Sequence, residues 1–257
     1  RVRPLLRPLL APVRMVLARA EADAERFRSL GVPAGRVRVA GNIKYDLGRD
    51  ERPLEWAEAV RTMASGRPIV VAGSTMEGEE TVVLDAVAAL VADGERPFLV
   101  LAPRHPERFD AVATLLSDRG LKVCRRSEGE VISDVDVFLI DTIGELARAY
   151  SLADAAFIGG SLVPTGGHNP LEAAVWEVPV VSGRHVHNFR EVYDEMTAAG
   201  GAVLVDGGAE LGARLREWLD DPAAAGAAGA AGHEVVVRNR GATARTAAEL
   251  LEMMGGR

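Results

Sequence analysis

From Arg67 to Val205 the sequence repeats one pattern, a short apolar run followed by a longer amphipathic stretch. The runs fall near residues 69–72, 98–102, 121–124, 137–140, 155–158, 179–182 and 202–205. Each is too short for a helix and apolar throughout, which marks a strand buried on both faces. Strands of that kind alternating with amphipathic helices predict an α/β fold, a parallel sheet with helices on both faces. Ligands of such sheets bind beyond the carboxyl ends of the strands, so the loops leaving those ends carry the functional information.

The loop after the fifth run is the richest. Gly159-Gly-Ser-Leu-Val-Pro-Thr-Gly-Gly-His-Asn-Pro-Leu-Glu172 holds four glycines, which let the backbone turn tightly and approach a ligand closely. A helix is expected from near Asn169, with Asn169 as its cap, Pro170 in its first turn and Glu172 at the acid position of a capping box. The residues alone leave two readings open: plain capping, or a helix N-terminus whose N–H groups and dipole face a bound anion. Ser74-Thr-Met-Glu77 and Thr142-Ile-Gly-Glu145 repeat the device after the first and fourth runs. Three such N-termini on one sheet edge would make an anion cradle. Arg104, in the loop after the second run, stands at the same edge, where a guanidinium grips phosphate in two-pronged fashion; pairing with Glu107 is the plain alternative.

Elsewhere the sequence is plainer. A net charge of −7 argues against general nucleic-acid binding, so any anion site is local. The single cysteine, Cys124, excludes an internal disulfide and is expected to be buried and inert. No apolar run reaches about 18 residues, the length of a membrane span. Asp134-Val-Asp136 precedes a strand, the wrong end for a ligand, and reads as a solvated turn. His185-Val-His187 lacks a third metal ligand at convincing spacing. Residues 222–232, built of Ala and Gly after Pro222, predict a frayed helix or a loose linker, with a last helix from about Glu234 to Met254.

The N-terminal part predicts a short helix with a basic face over residues 1–12, strands over 13–18 and 37–40, and a helix from Glu21 to Leu30. Together these form the tail of a further α/β unit. The opening Arg1 is expected to stand inside a longer protein. The charged stretch Gly48 to Pro53 reads as a domain junction.

Gly41-Asn-Ile-Lys-Tyr-Asp46, Ala72-Gly-Ser-Thr75, Pro103-Arg-His-Pro-Glu-Arg108, Asp141-Thr-Ile-Gly-Glu-Leu146, Gly166-Gly-His-Asn-Pro-Leu-Glu172 and Asn188-Phe-Arg190 occur in an order and spacing that resemble the 3-deoxy-D-manno-octulosonic acid (Kdo) transferases of lipopolysaccharide synthesis. The resemblance runs from about Val13 to the C-terminus. It implies the Rossmann-like C-terminal domain of a GT-B glycosyltransferase, preceded by a remnant of the N-terminal acceptor domain (1–46) and a linker (47–66), with the donor domain and its C-terminal helix over 67–257. It implies an inverting transfer of Kdo from CMP-Kdo to a lipid A precursor, with no cofactor or catalytic metal, at the cytoplasmic face of the bacterial inner membrane.

By the same resemblance Pro103, Arg104, Gly144, Glu145, Leu146, Asn169, Pro170, Leu171 and Glu172 bind CMP, with Glu172 a candidate for the ribose hydroxyls; Ser74 and His168 are further candidates. Lys44 falls where the family stabilises the transition state, fixed positive charge helping the phosphate to leave. The general base is a glutamate of the N-terminal domain in this family, so none is assigned here, and this piece alone is expected to bind CMP without transfer. Two rivals remain: another GT-B transferase or epimerase using a UDP-sugar, and a non-catalytic nucleotide-binding module.

Overall fold

A computed structural model describes residues 8–129 and 134–255. The expected basic-faced helix lies, over residues 1–7, outside the described part. The chain divides into two compact units, residues 1–48 with 236–257, and residues 49–235.

In the first unit, strands β1 (Val16–Ala18) and β2 (Val37–Val39) pair in parallel, with helix α1 (Glu21–Ser29) between them in sequence. Ala18, Ala24, Val32 and Val37 form its small core. A 3-10 turn, Ile43–Asp46, then meets the C-terminal helix, Ala242–Gly255. The Asp46 carboxylate accepts the backbone N–H of Gly241 at 2.5 Å and that of Thr243, serving as the side-chain cap of that helix. Arg245 reaches back to donate from Nε to the Ala40 carbonyl at 2.8 Å. Gly41 has φ +93°, and a Cβ there would lie 2.6 Å from the Arg245 guanidinium. The Gly41–Asp46 motif is thus bound up with the final helix. This corrects the expected boundary: the C-terminal helix belongs with the N-terminal segment, because its capping and docking partners lie there. The single last helix also proves to be two, broken at Gly241 (φ +93°).

The second unit begins before its sheet. Residues 49–66, expected as linker, hold helix α2 (Ala57–Ala64) with Val60, Met63 and Ala64 buried. Trp56 packs on Phe138 with ring centroids 4.9 Å apart, anchoring this stretch to the unit. There follow β3 (Ile69–Thr75), α3 (Glu79–Ala92), β4 (Phe98–Pro103), α4 (Phe109–Asp118), β5 (Val123–Arg125) and β6 (Val137–Leu139). Next come α5 (Leu146–Ala149), β7 (Ala155–Ile158), α6 (Leu171–Ala174), β8 (Val180–Gly183), α7 (Arg190–Ala199), β9 (Ala202–Val205), α8 (Gly208–Asp220) and α9 (Pro222–Asn239). All seven expected strands are present. They form one parallel sheet in the order β5-β6-β4-β3-β7-β8-β9. The core is continuous across it, from Leu116 and Leu139 through Val70 and Phe157 to Leu211 and Trp218.

From β3 the chain builds outward on one side and returns at β7 to build on the other. The switch point between those two strands is where a sheet of this kind opens a crevice. The backbones crowd here. A Cβ on Gly73 would lie 2.0 Å from the Tyr150 hydroxyl, and one on Gly159 would lie 2.4 Å from the Ser74 carbonyl oxygen. Ser74 itself takes φ +55° where β3 slips register against β4.

The Ala/Gly tract is neither linker nor frayed. Asp221 caps α9 by accepting the Ala223 and Ala224 N–H groups, both at 3.0 Å. Gly229 packs so closely that a Cβ would stand 1.8 Å from the Glu177 carbonyl oxygen, and Gly201 lies similarly against Gly232. The helix holds because its buried glycines allow a close approach that larger residues would block.

Candidate functional site

The glycine-rich loop after β7 is held by a carboxylate of its own chain. Glu79, at the first position of α3 and fully buried, accepts the backbone N–H of Gly160 (2.6 Å), Ser161 (2.8 Å), Leu162 (2.8 Å) and Met76 (2.9 Å). Its neighbour Glu80, also buried, receives the Thr75 hydroxyl at 2.7 Å and a two-pronged pair from Arg108 at 2.6 and 2.9 Å. These bonds tie the loop after β3 to the loop after β7 at the switch point. They also correct the expected device at 74–77: α3 starts at Glu79, and Glu79 rather than Glu77 bonds back to the preceding turn. Sequence reasoning missed Glu79, Glu80 and Arg108. Two acids opening a helix look like ordinary first-turn residues, and three of the four amides that Glu79 binds lie some 80 positions away.

Of the other two expected N-termini, one is altered and one is kept. The helices after β6 and β7 have four residues each, and at the first the Thr142 hydroxyl bonds Glu145 rather than a backbone N–H. At the second, Asn169 caps the helix start as expected, its side chain accepting the Leu171 N–H at 3.2 Å with Pro170 between them. Leu171 is buried in the core. The Thr142 hydroxyl donates to Glu145, which also receives Trp56 Nε1–H at 2.9 Å and the Arg126 guanidinium at 3.2 Å. Burial would push the Glu145 carboxyl up; the bonds from Thr142 and Trp56 and the charge of Arg126 outweigh it and hold the group below the usual range. The Glu145 side chain is therefore committed internally. What this loop presents outward is backbone and apolar surface, with Gly144 at φ +87° in open space and Ile143 80% exposed. Leu146 is half-buried beneath it. Asp141, at the base of the loop, receives Ser127 and Arg125 and is held below the usual range despite its burial.

Arg104, His168 and Glu172 share one electrostatic neighbourhood. Pro103 ends β4 in full burial, and the Arg104 N–H donates to the Thr75 carbonyl at 2.9 Å, so the exposed Arg104 side chain leaves from the switch-point edge. The alternative pairing with Glu107 is not made; Glu107 lies 4.0 Å from His105, and Arg104 forms no side-chain hydrogen bond or ion pair among the described residues. Burial, then the charges of Arg104 and His105, push the His168 ring down to about 4, and its Nε2 is buried without a partner. Burial raises the Glu172 carboxyl, against the Asn169 hydrogen bond and the charge of Arg104. The structure thus offers a cation with no side-chain partner among the described residues, a neutral imidazole and a largely buried carboxyl.

The remaining candidates sort plainly. Lys44 lies in the first unit, on the 3-10 turn, its N–H donating to the Asn42 side chain at 3.1 Å. Asp134 pairs with Lys122, and Asp136 accepts the Lys122 N–H at 2.9 Å, before β6. His185 and His187 are exposed, flanking buried Val186; Cys124 is buried in β5. Among the described residues no three His, Cys, Asp or Glu side chains gather as a metal site, and no helix is long and apolar enough to cross a membrane.

A profile of the family described as 3-deoxy-D-manno-octulosonic-acid transferase (kdotransferase) matches residues 1–47. The 3-deoxy-D-manno-octulosonic acid transferase of Haemophilus influenzae is 36% identical over 248 residues, which are 95% of this chain and 58% of that protein; the chain thus spans less than two thirds of that relative's length. Among solved structures, the C-terminal CMP-Kdo binding domain of WaaA from Acinetobacter baumannii matches with a TM-score of 0.65 and 31% identity, covering 70% of this chain and 97% of that one. Anabaena HepE in complex with UDP-glucose, at 12% identity, shares the fold alone, with a TM-score of 0.57 over 99% of this chain and 67% of that one. The parallel sheet and its helices have the fold of the C-terminal domain of GT-B glycosyltransferases. With 31% identity extending across nearly the whole of that Acinetobacter domain, the chain belongs to the 3-deoxy-D-manno-octulosonic acid (Kdo) transferase family.

Proposed function

We propose that this chain carries the donor half of an inverting Kdo transferase, which moves Kdo from CMP-Kdo to a lipid A precursor at the cytoplasmic face of the inner membrane. The observation that carries the reading is Arg104, a guanidinium with no side-chain partner among the described residues at the switch point, electrostatically coupled to His168 and Glu172. In this reading Arg104 grips the phosphate, and Glu172 receives the ribose hydroxyls. The outward face of residues 143–146 meets the nucleoside. The Kdo–phosphate bond breaks with oxocarbenium character, and charge gathering on the departing CMP is met by Arg104 without a metal; Lys44 keeps the transition-state role that the family resemblance implies. The base that deprotonates the acceptor is supplied by the family's N-terminal domain, so these 257 residues alone bind CMP and transfer nothing.

Calorimetric titration with CMP and UMP tests this. CMP is expected to bind in preference to UMP, and Arg104→Ala to weaken it about tenfold or more, the cost of a charge-assisted hydrogen bond. Glu172→Ala is expected to weaken it as well. Equal binding of UMP points to a UDP-sugar enzyme. Binding of neither by the folded chain removes the donor reading.

A further inference from the structure

Gly160, Ser161 and Leu162 offer three consecutive backbone N–H groups just beyond the strand at the switch point. Amides so placed are the usual cradle for a phosphate oxygen. Here the cradle is already full. Both Glu79 oxygens act as acceptors, Oε1 for Ser161 and Leu162 and Oε2 for Gly160 and Met76. These four donors are neutral, whereas the adjacent Glu80 is matched by the Arg108 guanidinium. The loop spends further amides internally, Gly167 on the Gly160 carbonyl and His168 on the Gly159 carbonyl. At the same edge Arg104 supplies one positive charge without a side-chain partner among the described residues.

We infer that Glu79 is a specificity-determining residue that confines the site to donors activated by a single phosphate. The inference rests on the donor reading above. The phosphodiester of a sugar nucleotide with one phosphate carries one negative charge, which Arg104 matches. A nucleoside diphosphate sugar carries two, and its second phosphate would find the amides at 160–162 taken and a buried carboxylate beneath them. Rejection by filled donors and like charge is discrimination against the wrong ligand rather than added affinity for the right one. Glu79 touches no donor; it acts through the loop, as a positioning residue.

The test is the ratio of CMP to CDP affinity, measured by calorimetry on the chain and on Glu79→Ala and Glu79→Gln. The unsubstituted chain is expected to bind CMP about tenfold or more tightly than CDP. Glu79→Ala frees all four amides, and the ratio is expected to fall about tenfold, CDP gaining while CMP changes little. Glu79→Gln keeps the volume and removes the charge, and is expected to lower the ratio in the same direction. A purely structural role weakens both nucleotides together and leaves the ratio unchanged, which overturns the inference. So does an unsubstituted chain that binds CDP as tightly as CMP, whether or not either variant folds. Failure of the folded chain to bind either nucleotide overturns the donor reading itself, and this inference with it.

Discussion

His168 reports on its surroundings through its charge. Burial first, then Arg104 and His105, lower its pKa from 6.5 to about 4. In the unfolded chain the ring titrates near 6.5, so between there and about 4 the unfolded state takes up a proton that the folded state refuses. The contribution of this group to stability is therefore complete above pH 6.5 and is lost as the pH falls toward 4. NMR titration of the ring C–H signals is expected to give a midpoint near 4 in the folded chain. Arg104→Ala removes one of the two charges and raises that midpoint, though it stays below 6.5 because burial remains. Bound CMP raises it too, since the phosphate brings negative charge to Arg104. A midpoint indifferent to Arg104→Ala would show that the guanidinium does not stand beside the ring, and would take the phosphate reading down with it.

Helix α9 shows how one residue type can both weaken and permit an element. Glycine in a helix interior costs about 1 kcal/mol relative to alanine, so the tract predicts fraying from local propensity alone. Gly226 is exposed with nothing within 4 Å of a Cβ, whereas Gly229 is buried against the Glu177 carbonyl. Gly226→Ala is therefore expected to stabilise the chain by about 0.5–1 kcal/mol. Gly229→Ala is expected to destabilise it by about 1–3 kcal/mol through overpacking. Urea unfolding of the two variants checks this, and a Gly229→Ala chain no weaker than the parent would remove the close-packing explanation. The strands, by contrast, were legible from sequence, because Val70 to Ala72 or Ala155 to Ile158 need only be apolar throughout to belong at the sheet centre. What escaped depended on distant partners. Thr142 with Glu145 and Asn169 with Glu172 fit the capping pattern, yet Glu145 is claimed by Trp56 from 89 positions away. The Gly41–Asp46 motif signalled a family, but that Asp46 caps a helix some 195 positions later is visible only in three dimensions.

At the scale of the whole chain, the candidate nucleotide-binding residues belong to one unit and so does their best optical probe. Arg104, Glu145, His168, Asn169 and Glu172 lie in residues 49–235, as do all three tryptophans, Trp56, Trp176 and Trp218. Trp56 bonds to Glu145 and Trp176 Nε1–H donates to the Ala147 carbonyl at 2.8 Å, so two of the three probes touch the segment that follows β6. Residues 1–48 and 236–257 contain no tryptophan and stay silent in such a measurement. A ligand that binds only the folded unit at a hundredfold its dissociation constant adds about 2.7 kcal/mol of stability. For a unit of this size that corresponds to a rise in melting temperature of about 5–10 °C. Thermal melts followed by tryptophan fluorescence are expected to shift by that amount with CMP, by less with UMP at the same concentration, and by little with either nucleotide in Arg104→Ala. Because the readout excludes the first unit, the shift measures the donor unit alone. A CMP shift that Arg104→Ala leaves intact would place the nucleotide elsewhere in that unit, since no other residue of the candidate site offers its phosphate a full positive charge from the switch-point edge.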